Sequence, residues 1–224
     1  MVILLLGPPG SGKGTQSPQI TRLLSIPAIS TGEMLRAECE AGTPLGIEAS
    51  AILAVGHLVS DDLVNRMLVN RLSQDDCRNG FLLDGYPRTV PQAEFLDGYL
   101  SQAHIGKPVV IHLATPNYVL VERISARRQC PQCGTIYNLL FKPSKVKGIC
   151  DLDGTALIRR KDDTPEIVEE RLIAYDNLTA PVISYYKNNG HGTYVAVKAD
   201  RPPAEIQRDI LAFLRKQRNG HGAH

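Results

Sequence analysis

The sequence predicts an α/β fold in which a parallel β-sheet is flanked by helices. Four short apolar segments have the composition of strands that are buried on both faces of a sheet. They are residues 2–6, 80–84, 108–113 and 193–197. Helix-like segments alternate with these strands, as is typical of a parallel sheet. Residues 30–59 and 126–163 interrupt the alternation, and we interpret them as subdomains inserted in one core.

Composition excludes several classes of protein. The 224 residues are 43% hydrophobic and 21% charged, which is ordinary for a globular chain that buries a core. The 25 Lys and Arg against 23 Asp and Glu give a net charge of +2, without the basic excess of a nucleic-acid binder. The apolar run at residues 1–6 is far shorter than the roughly 20 residues of a membrane span, and it lacks the flanks of a signal peptide. We therefore expect a cytoplasmic protein that binds neither membranes nor nucleic acid.

The first half of the chain alternates strand and helix. After the strand at residues 2–6, Ile20, Leu23 and Leu24 recur at helical spacing, and Pro18 predicts a local distortion of that helix. Residues 30–59 have a helical pattern punctuated by glycine and proline. Residues 62–74 predict an amphipathic helix that starts at an aspartate.

The second half predicts an arginine-rich helix, a β-rich excursion and two further helices. The arginine-rich helix covers residues 118–128, and the excursion covers residues 130–158. Thr164-Pro165-Glu166 starts a helix that runs toward residue 188 with an interruption at Pro181. An amphipathic helix at residues 204–214 comes last, and residues 219–224 are expected to fray.

A glycine-rich loop with the sequence GPPGSGKGT, residues 7–15, directly follows the first strand. It matches the pattern G-x-x-x-x-G-K, although Gly14 takes the usual place of a hydroxyl residue and Thr15 comes one place later. Glycines let backbone N–H groups converge on phosphate oxygens, and the following helix adds a positive partial charge. Lys13 adds a mobile cation for the β- and γ-phosphates. This loop therefore predicts phosphate binding.

Three of the five cysteines cluster with an aspartate in a pattern typical of a metal site. Cys130 and Cys133 form one C-x-x-C pair, and Cys150 is followed at the matching distance by Asp153. Zinc accepts three thiolates and one carboxylate in a tetrahedral site, and four protein ligands leave no open position for catalysis. The cluster therefore predicts a structural metal, Zn²⁺, with iron or cobalt as chemically suitable alternatives.

Three motifs together resemble the adenylate kinase family. They are the loop with its GKGT ending, the segment STGEMLR at residues 30–36, and the segment DGYPRT at residues 84–89. The resemblance runs from residue 1 to about residue 214, and the cysteine cluster resembles that of bacterial, zinc-containing members. It implies a P-loop parallel sheet called the CORE, a helical nucleoside-monophosphate (NMP) binding insertion and a small β-rich, metal-binding LID. We predict the CORE at residues 1–29, 60–125 and 164–224, the NMP-binding subdomain at 30–59 and the LID at 126–163.

The resemblance implies the reversible reaction MgATP + AMP ⇌ 2 ADP, which maintains adenine nucleotide balance, with direct in-line transfer and LID closure. The partners are ATP, AMP and ADP, the cofactor is Mg²⁺, and we expect a monomer because no apolar helix stripe remains to be covered. Phosphoryl transfer between two polyanions needs many cations, and several arginines are available. They are Arg36, Arg88, Arg123, Arg127, Arg160 and Arg171. Arg123 and Arg127, four residues apart, are expected to share a helix face.

The resemblance also assigns site residues. The predicted ATP site consists of Gly10, Ser11, Gly12, Lys13, Gly14, Thr15, Arg123, Arg127, Ile136, Tyr137 and Arg201. The predicted AMP site consists of Thr31, Arg36, His57, Leu58, Val59, Gly85, Tyr86, Pro87, Arg88, Gln92, Arg160 and Arg171. The catalytic set is Lys13, Asp84, Arg88, Arg123, Arg160 and Arg171. Asp84 ends a buried strand, where P-loop enzymes place an acidic residue near Mg²⁺.

Three alternative functions remain open at this point. A kinase for UMP, CMP or GMP would share the motifs and differ in its acceptor. A zinc-ribbon module that binds nucleic acid conflicts with the near-neutral charge and with the content of four Phe and no Trp. A P-loop switch protein that only binds ATP would form no ADP from AMP.

Overall fold

A computed structural model describes residues 1–160, 162–188 and 190–220, and within these residues the chain forms seven strands and nine α-helices. The strands are β1 (Val2–Leu6), β2 (Ala28–Ser30), β3 (Phe81–Asp84), β4 (Val109–Ala114), β5 (Arg127–Gln129), β6 (Ile136–Asn138) and β7 (Thr193–Lys198). The helices are α1 (Lys13–Leu24), α2 (Thr31–Ala41), α3 (Pro44–Ala54), α4 (Asp61–Leu72), α5 (Val90–Gln102), α6 (Asn117–Ser125), α7 (Pro165–Ala174), α8 (Ala180–Asn188) and α9 (Pro203–Gly220). A short 3₁₀ turn spans Asp75–Cys77, and a π-helical segment, Tyr175–Thr179, joins α7 to α8.

Five of the described strands form a parallel sheet in the order β2-β3-β1-β4-β7, which confirms the predicted fold class. In the registers of the sheet, Leu5 of β1 lies opposite Asp84 of β3, and Ser30 of β2 pairs with the same Asp84. The carboxyl ends of β1, β2 and β3 therefore meet at one edge of the sheet. The loops after these strands consequently surround one crevice, which is where ligands bind in open α/β sheets.

The core has two apolar layers, one on each face of the sheet. In β1, Leu4 and Leu6 pack into one layer while Ile3 and Leu5 pack into the other. All five residues of β1 are buried, which explains why its sequence is a continuous apolar run and does not alternate. No helix among the described residues has the length and apolar character needed to cross a membrane.

Helices α2 and α3 occupy the segment predicted to be helical between β2 and α4. Ser30 accepts a hydrogen bond from the Glu33 N–H at the start of α2, and Thr43 accepts one from the Gly46 N–H at the start of α3. The two helices approach closely at Gly46, where an added Cβ would lie 2.0 Å from the Glu38 carbonyl oxygen. Glycine at this position therefore permits the packing of α3 on α2.

Strands β5 and β6 form a separate antiparallel ladder within residues 126–160. Single bridges add Ile158 opposite Gln129 and Ala156 opposite Ile149. Short ladders and turns thus account for the described part of this region, in agreement with the β-rich excursion that the sequence predicts.

Some predicted elements differ from the structure. The prediction that Arg123 and Arg127 share a helix face is wrong, because α6 ends at Ser125 and Arg127 pairs with Asn138 in the β5–β6 ladder. The edge strand β2 and helix α5 were not predicted. Helix α1 continues through Pro18, and the break between α7 and α8 is the π-helical segment that ends two residues before Pro181. Of the tail expected to fray, residues 219–220 belong to α9 and residues 221–224 lie outside the described residues.

Candidate active site and metal site

The glycine-rich loop between β1 and α1 presents the beginning of a helix to the crevice. Gly12 precedes α1 with φ of 101°, a value that favours glycine, and an added Cβ there would meet nothing within 4 Å. No side chain of the described residues caps the first turn of α1. Uncapped N–H groups at a helix start, together with the helix dipole, form an anion site. The loop geometry therefore supports the predicted binding of phosphate.

Lys13 is a buried cation held by the same loop. Its Nζ donates to the carbonyl oxygens of Gly7 at 2.7 Å and Pro8 at 3.0 Å. Burial lowers the pKa of Lys13 to about 8, although the nearby Asp84 carboxylate opposes this shift. Burial also raises the pKa of Asp84 above its ordinary value, and the Lys13 cation opposes this shift only in part. A phosphate bound near Lys13 would raise the pKa of this lysine again, because a nearby negative charge favours the protonated form.

We call residues 126–160 and 162–163 the β5–β6 region. One large cleft, which we call the central cleft, opens between the glycine-rich loop, the sheet edge, α2, α7 and the β5–β6 region. Its volume is about 220 Å³. Within the described residues, six arginines line the central cleft: Arg36, Arg88, Arg123, Arg127, Arg160 and Arg171. Lys13 and Asp84 line it as well. Each of the six arginines lies on a different helix, strand or loop, so folding brings them together.

A narrow side pocket lies next to the central cleft and shares Leu58, Gly85 and Arg88 with it. The rest of its lining is mostly apolar, with a few polar groups. This lining comprises Thr31, Leu35, Leu53, His57, Val59, Val64 and Gln92. An apolar pocket beside an arginine suits a flat base whose phosphate extends toward the guanidinium. The two spaces therefore meet at Arg88, and the side pocket, about 20 Å³ in volume, would have to widen to admit a base.

Positive charge in the central cleft exceeds the negative charge that faces it. Burial lowers the pKa of Arg88 to about 10, and the neighbouring Arg171 adds to this shift. Burial likewise lowers the pKa of Arg160 to about 10, and Arg127 contributes. These guanidinium groups remain protonated at neutral pH despite the shifts. Anions bound between them would relieve the mutual repulsion.

Two acidic residues at the end of the β5–β6 region pair with cleft arginines. Asp163 is fully buried and accepts a two-pronged contact from Arg127 and a longer one, 3.5 Å, from Arg171. Asp162 accepts from the Arg171 guanidinium at 3.0 Å. Aspartates just before a helix often cap its first turn. The structure shows that both aspartates bind arginines, and Thr164 caps α7 instead.

Most of the predicted site residues line one of the two spaces. The loop residues 10–15, together with Arg123, Arg127, Ile136 and Tyr137, line the central cleft. Pro87 and Asp84 lie there too. Gln92 lines the side pocket, with its amide engaged: its Oε1 accepts from the Arg88 N–H at 2.8 Å and its Nε2 donates to Asp61 at 2.7 Å.

Two predicted residues lie elsewhere. The Tyr86 side chain is fully buried in the core, where its hydroxyl donates to Asn65 Oδ1 at 2.6 Å. The Arg201 side chain pairs with Asp209 at 2.6 Å, outside the linings of both spaces, because acidic residues on α9 attract it. Its backbone carbonyl accepts from Arg123 at 3.4 Å. Neither side chain therefore lines the central cleft or the side pocket.

The predicted metal cluster assembles in the β5–β6 region. One ligand atom from each of Cys130, Cys133, Cys150 and Asp153 lies within 4.8 Å of the others. The Sγ atoms of Cys133 and Cys150 are 3.6 Å apart, close to the roughly 3.8 Å expected between two sulfurs of a tetrahedral zinc site. Three thiols and a carboxylate supply four donors, so the cluster fits a closed structural site.

The two halves of the cluster have the same local geometry. In the first, the Cys130 N–H donates to the Thr135 carbonyl at 3.0 Å. In the second, the Cys150 N–H donates to the Thr155 carbonyl at 2.8 Å. Gly134 and Gly154 follow the two turns with φ of 72° and 73°, a conformation that glycine adopts readily. The repeated turn places Asp153 where a fourth cysteine would otherwise stand.

Comparison with known proteins agrees with this geometry. A family model described as adenylate kinase matches residues 5–191. The chain belongs to the adenylate kinase family. Adenylate kinase from Clostridium perfringens is 49% identical over 188 residues, which cover 84% of this chain and 87% of that protein. Adenylate kinase from Clostridium botulinum is 48% identical over 190 residues, or 85% and 88% of the two chains.

Membership of the adenylate kinase family makes the chain an enzyme of the nucleoside monophosphate kinase class. Several residues that line the central cleft of this enzyme were missed from sequence. Phe141 lines the central cleft with its ring centroid 5.7 Å from the Arg123 guanidinium, and Asn138 donates to the Arg123 carbonyl at 2.9 Å. Lys142, Tyr175 and Thr179 line the cleft as well. The available signal for Phe141 was its position, an aromatic residue only four places after the predicted site residue Tyr137.

Proposed function

We propose that this adenylate kinase transfers the γ-phosphoryl group of ATP to AMP, forming two ADP in one reversible, in-line step. The observation that supports this most directly is the central cleft itself. The cleft contains Lys13 of the glycine-rich loop and Arg88, which also lines the side pocket. Five further arginines of the described chain line the cleft. A protein that only bound ATP would need no second pocket of this kind.

The donor site lies between the glycine-rich loop and the β5–β6 region. We propose that Gly10, Ser11, Gly12, Lys13, Gly14 and Thr15 bind the phosphates of ATP. Arg123 and Phe141, which already face one another, provide a flat surface for the purine, and Ile136 covers Gly14 at close range. Arg127 approaches the phosphates from the other side of the cleft. Arg201 contributes only its backbone in this arrangement.

The acceptor site comprises the side pocket and its neighbouring cations. We propose that Thr31, His57, Leu58, Val59 and Gln92 surround the adenine of AMP. Arg36 and Arg88 bind its phosphate, beside Gly85 and Pro87. Gln92 carries both a donor and acceptors, as adenine recognition requires, once AMP competes for its present partners. Tyr86 is not part of this proposed site, because its side chain packs in the core.

In the transfer step, an oxygen of the AMP phosphate attacks the γ-phosphorus of ATP, and the bridging oxygen to the β-phosphorus leaves with the ADP product. Both products are ADP, so the same geometry serves the reverse reaction. Lys13, Arg88, Arg123, Arg160 and Arg171 neutralise the charge that spreads over the transferring group. No covalent intermediate with the protein is needed, because positioning and charge carry the reaction.

Mg²⁺ fits the carboxylate end of this site. Asp84 faces the central cleft at the end of β3 with Lys13 beside it, and hard oxygen donors are what Mg²⁺ prefers. Asp84 would hold the ion directly or through a water molecule. When bound, the ion would supply neutralisation of the negative charge on the phosphates. The residues derived above position the nucleotides around it.

We also propose the division into CORE, NMP-binding and LID parts at residues 1–29, 60–125 and 164–224, at 30–59, and at 126–163. The LID covers the donor site, and its closure excludes water from the γ-phosphoryl group. Arg127 of the LID and Arg171 of α7 share Asp163, so this ion-pair cluster lies where the LID returns to the CORE. A monomer in the cytoplasm remains our prediction.

We further propose that the cysteine cluster holds structural Zn²⁺, with iron or cobalt as alternatives. Elemental analysis of the purified protein should find one metal ion per chain. Removal with a strong chelator should lower the melting temperature by roughly 5–10 °C, because metal binding stabilises a region that has only a small apolar cluster. Cys39→Ser, which changes a half-buried thiol outside the cluster, should keep one metal per chain. Equal melting temperatures with and without chelator would contradict the proposal.

The function is tested by measuring ADP formation from MgATP with and without AMP. We expect ADP formation to depend on AMP and to be much slower with UMP, CMP or GMP as acceptor. Slow ATP hydrolysis that AMP leaves unchanged would instead indicate a nucleotide-dependent switch. A faster reaction with another monophosphate would keep the transfer chemistry and change the acceptor.

A further inference from the structure

The π-helical segment Tyr175–Thr179 changes which residues face the central cleft. A π-type hydrogen bond closes over five residues instead of four, so it sets the following residues back by about one position, roughly 100° around the helix axis. In a regular continuation of α7, Leu178 would follow Arg171 by seven residues and share its face. In the structure Thr179, and not Leu178, lines the central cleft together with Arg171.

Burial shows that this change of register reverses the usual preference for apolar interiors. Leu178 is 44% exposed while Thr179 is only 7% exposed. The buried face then continues from Thr179, because Val182 and Tyr186, three and seven residues later, are buried too. An exposed leucine next to a buried threonine is unfavourable by hydrophobic transfer alone. The threonine hydroxyl must therefore make a contact that compensates.

That contact joins the π-helical segment to the loop after β3. The Thr179 hydroxyl donates to the carbonyl oxygen of Arg88 at 2.9 Å. On the other side of the same residue, the Arg88 N–H donates to Gln92 Oε1 at 2.8 Å, and its guanidinium Nε donates to the Gly85 carbonyl at 2.8 Å. Side chains from two different elements thus fix the backbone of Arg88 at both of its peptide groups. The direction of a guanidinium in a tight site depends on such support.

We infer that Thr179 is a positioning residue for the acceptor phosphate, aimed by the π-helical segment at the backbone of Arg88. The inference rests on the proposed function, in which Arg88 binds the phosphate of AMP. Thr179 also follows Arg171 on one continuous helical stretch, so its hydrogen bond links that stretch to Arg88, the second of two arginines that line the cleft. Loss of the hydroxyl should therefore affect the acceptor more than the donor.

The first test compares Thr179→Val, which removes the hydroxyl at nearly constant volume, with Thr179→Ser, which keeps it. Thr179→Val should raise the KM for AMP, and the Kd for AMP measured by calorimetry, about five- to tenfold, while the KM for ATP changes less than about twofold. Thr179→Ser should restore the AMP values to within about twofold. Thr21→Val is the matched control, since Thr21 donates to the Pro18 carbonyl on α1, outside both spaces.

A second pair of variants tests the register. Deleting Leu178 leaves Thr179 seven residues after Arg171 in a helix of regular length, and the KM for AMP should stay within about twofold of the parent. Deleting Thr179 shortens the helix equally but leaves Leu178 there, so it should reproduce the Thr179→Val values. The two deletions remove one residue each and differ only in the side chain that faces Arg88.

Equal AMP values for Thr179→Val and Thr179→Ser, or for the two deletions where both fold, would overturn the inference. The same holds if Thr179→Val raises both KM values together with a lower melting temperature and serine gives no rescue, since that is the behaviour of a merely structural residue. A parent enzyme that forms no ADP from AMP would instead overturn the proposed function. In that case calorimetry with AMP still measures whether Thr179 supports an anion site at Arg88.

Discussion

Replacing Lys13 with alanine should lower kcat for ADP formation by about three orders of magnitude. Its ammonium group lies in the loop between β1 and α1, where it faces the phosphates that carry the transferring charge. No other lysine of the described residues lines the loop side of the cleft, since Lys142 belongs to the β5–β6 region. The measurement is a coupled ADP assay at saturating ATP and AMP. Lys187→Ala, an exposed change on α8, should leave kcat unaltered.

The loss of activity should occur without loss of stability. Because burial lowers the pKa of Lys13 to about 8, the folded protein below that pH holds a cation that the unfolded chain would hold more easily. Alanine at this position should therefore give an equal or higher melting temperature at neutral pH. A variant that melts lower and loses activity in proportion would indicate a folding defect instead.

The same shift gives the sign of a pH dependence. As pH rises through about 8 the free enzyme loses the Lys13 proton, so kcat/KM for ATP should fall there. Bound phosphates favour the charged form, so kcat should hold to higher pH than kcat/KM. In stability, the unfolded chain keeps this proton up to its ordinary pKa of 10.5, so the contribution of Lys13 to the free energy of unfolding rises with pH between about 8 and 10.5.

Replacing Arg88 with lysine should lower kcat/KM for AMP at least about a hundredfold, and replacing it with alanine should lower it about a thousandfold. Lysine keeps the charge but loses the planar fork, and Arg88 lies where the central cleft meets the side pocket. The KM for ATP should change much less in both variants, because ATP binds across the cleft at the glycine-rich loop.

Arg78 provides the control for Arg88. It pairs with Asp75 at 2.7 Å on the surface, with more than three quarters of both side chains exposed, so Arg78→Ala should leave both KM values within about twofold. If the lysine variant of Arg88 matched the parent enzyme in kcat/KM for AMP, the fork would be unimportant, and Arg88 would act only through its charge.

Local sequence signals predicted the elements that position the site. The strand β1 was readable because burial on both faces requires a continuous apolar run, and the loop after it because phosphate binding requires glycines before a helix and a lysine. The cluster of three cysteines and Asp153 was readable because metal ligands recur at fixed spacing. The short edge strand β2 was missed, since three residues carry no usable periodicity.

Features that depend on distant residues escaped prediction. Arg127 reads as helical by its spacing from Arg123, yet pairing with Asn138 in a ladder places it on a strand. The hydroxyl of Thr179 reaches Arg88 across 91 positions of sequence, through a π-helical register that local propensity does not encode. The ion pairs of Asp163 likewise depend on how the β5–β6 region returns to α7. Tertiary packing decides these contacts.

The central claim is that Lys13 and Arg88 serve two nucleotides that face each other in one cleft. The most direct measurement is a crystal structure with a dinucleotide in which two adenosines are joined through their phosphates. We expect one adenosine beside Arg123 and Phe141, the other in the side pocket, and the Lys13 ammonium and Arg88 guanidinium both on the connecting phosphates. A structure in which either cation points away from those phosphates, or in which only one adenosine enters the cleft, would contradict the account.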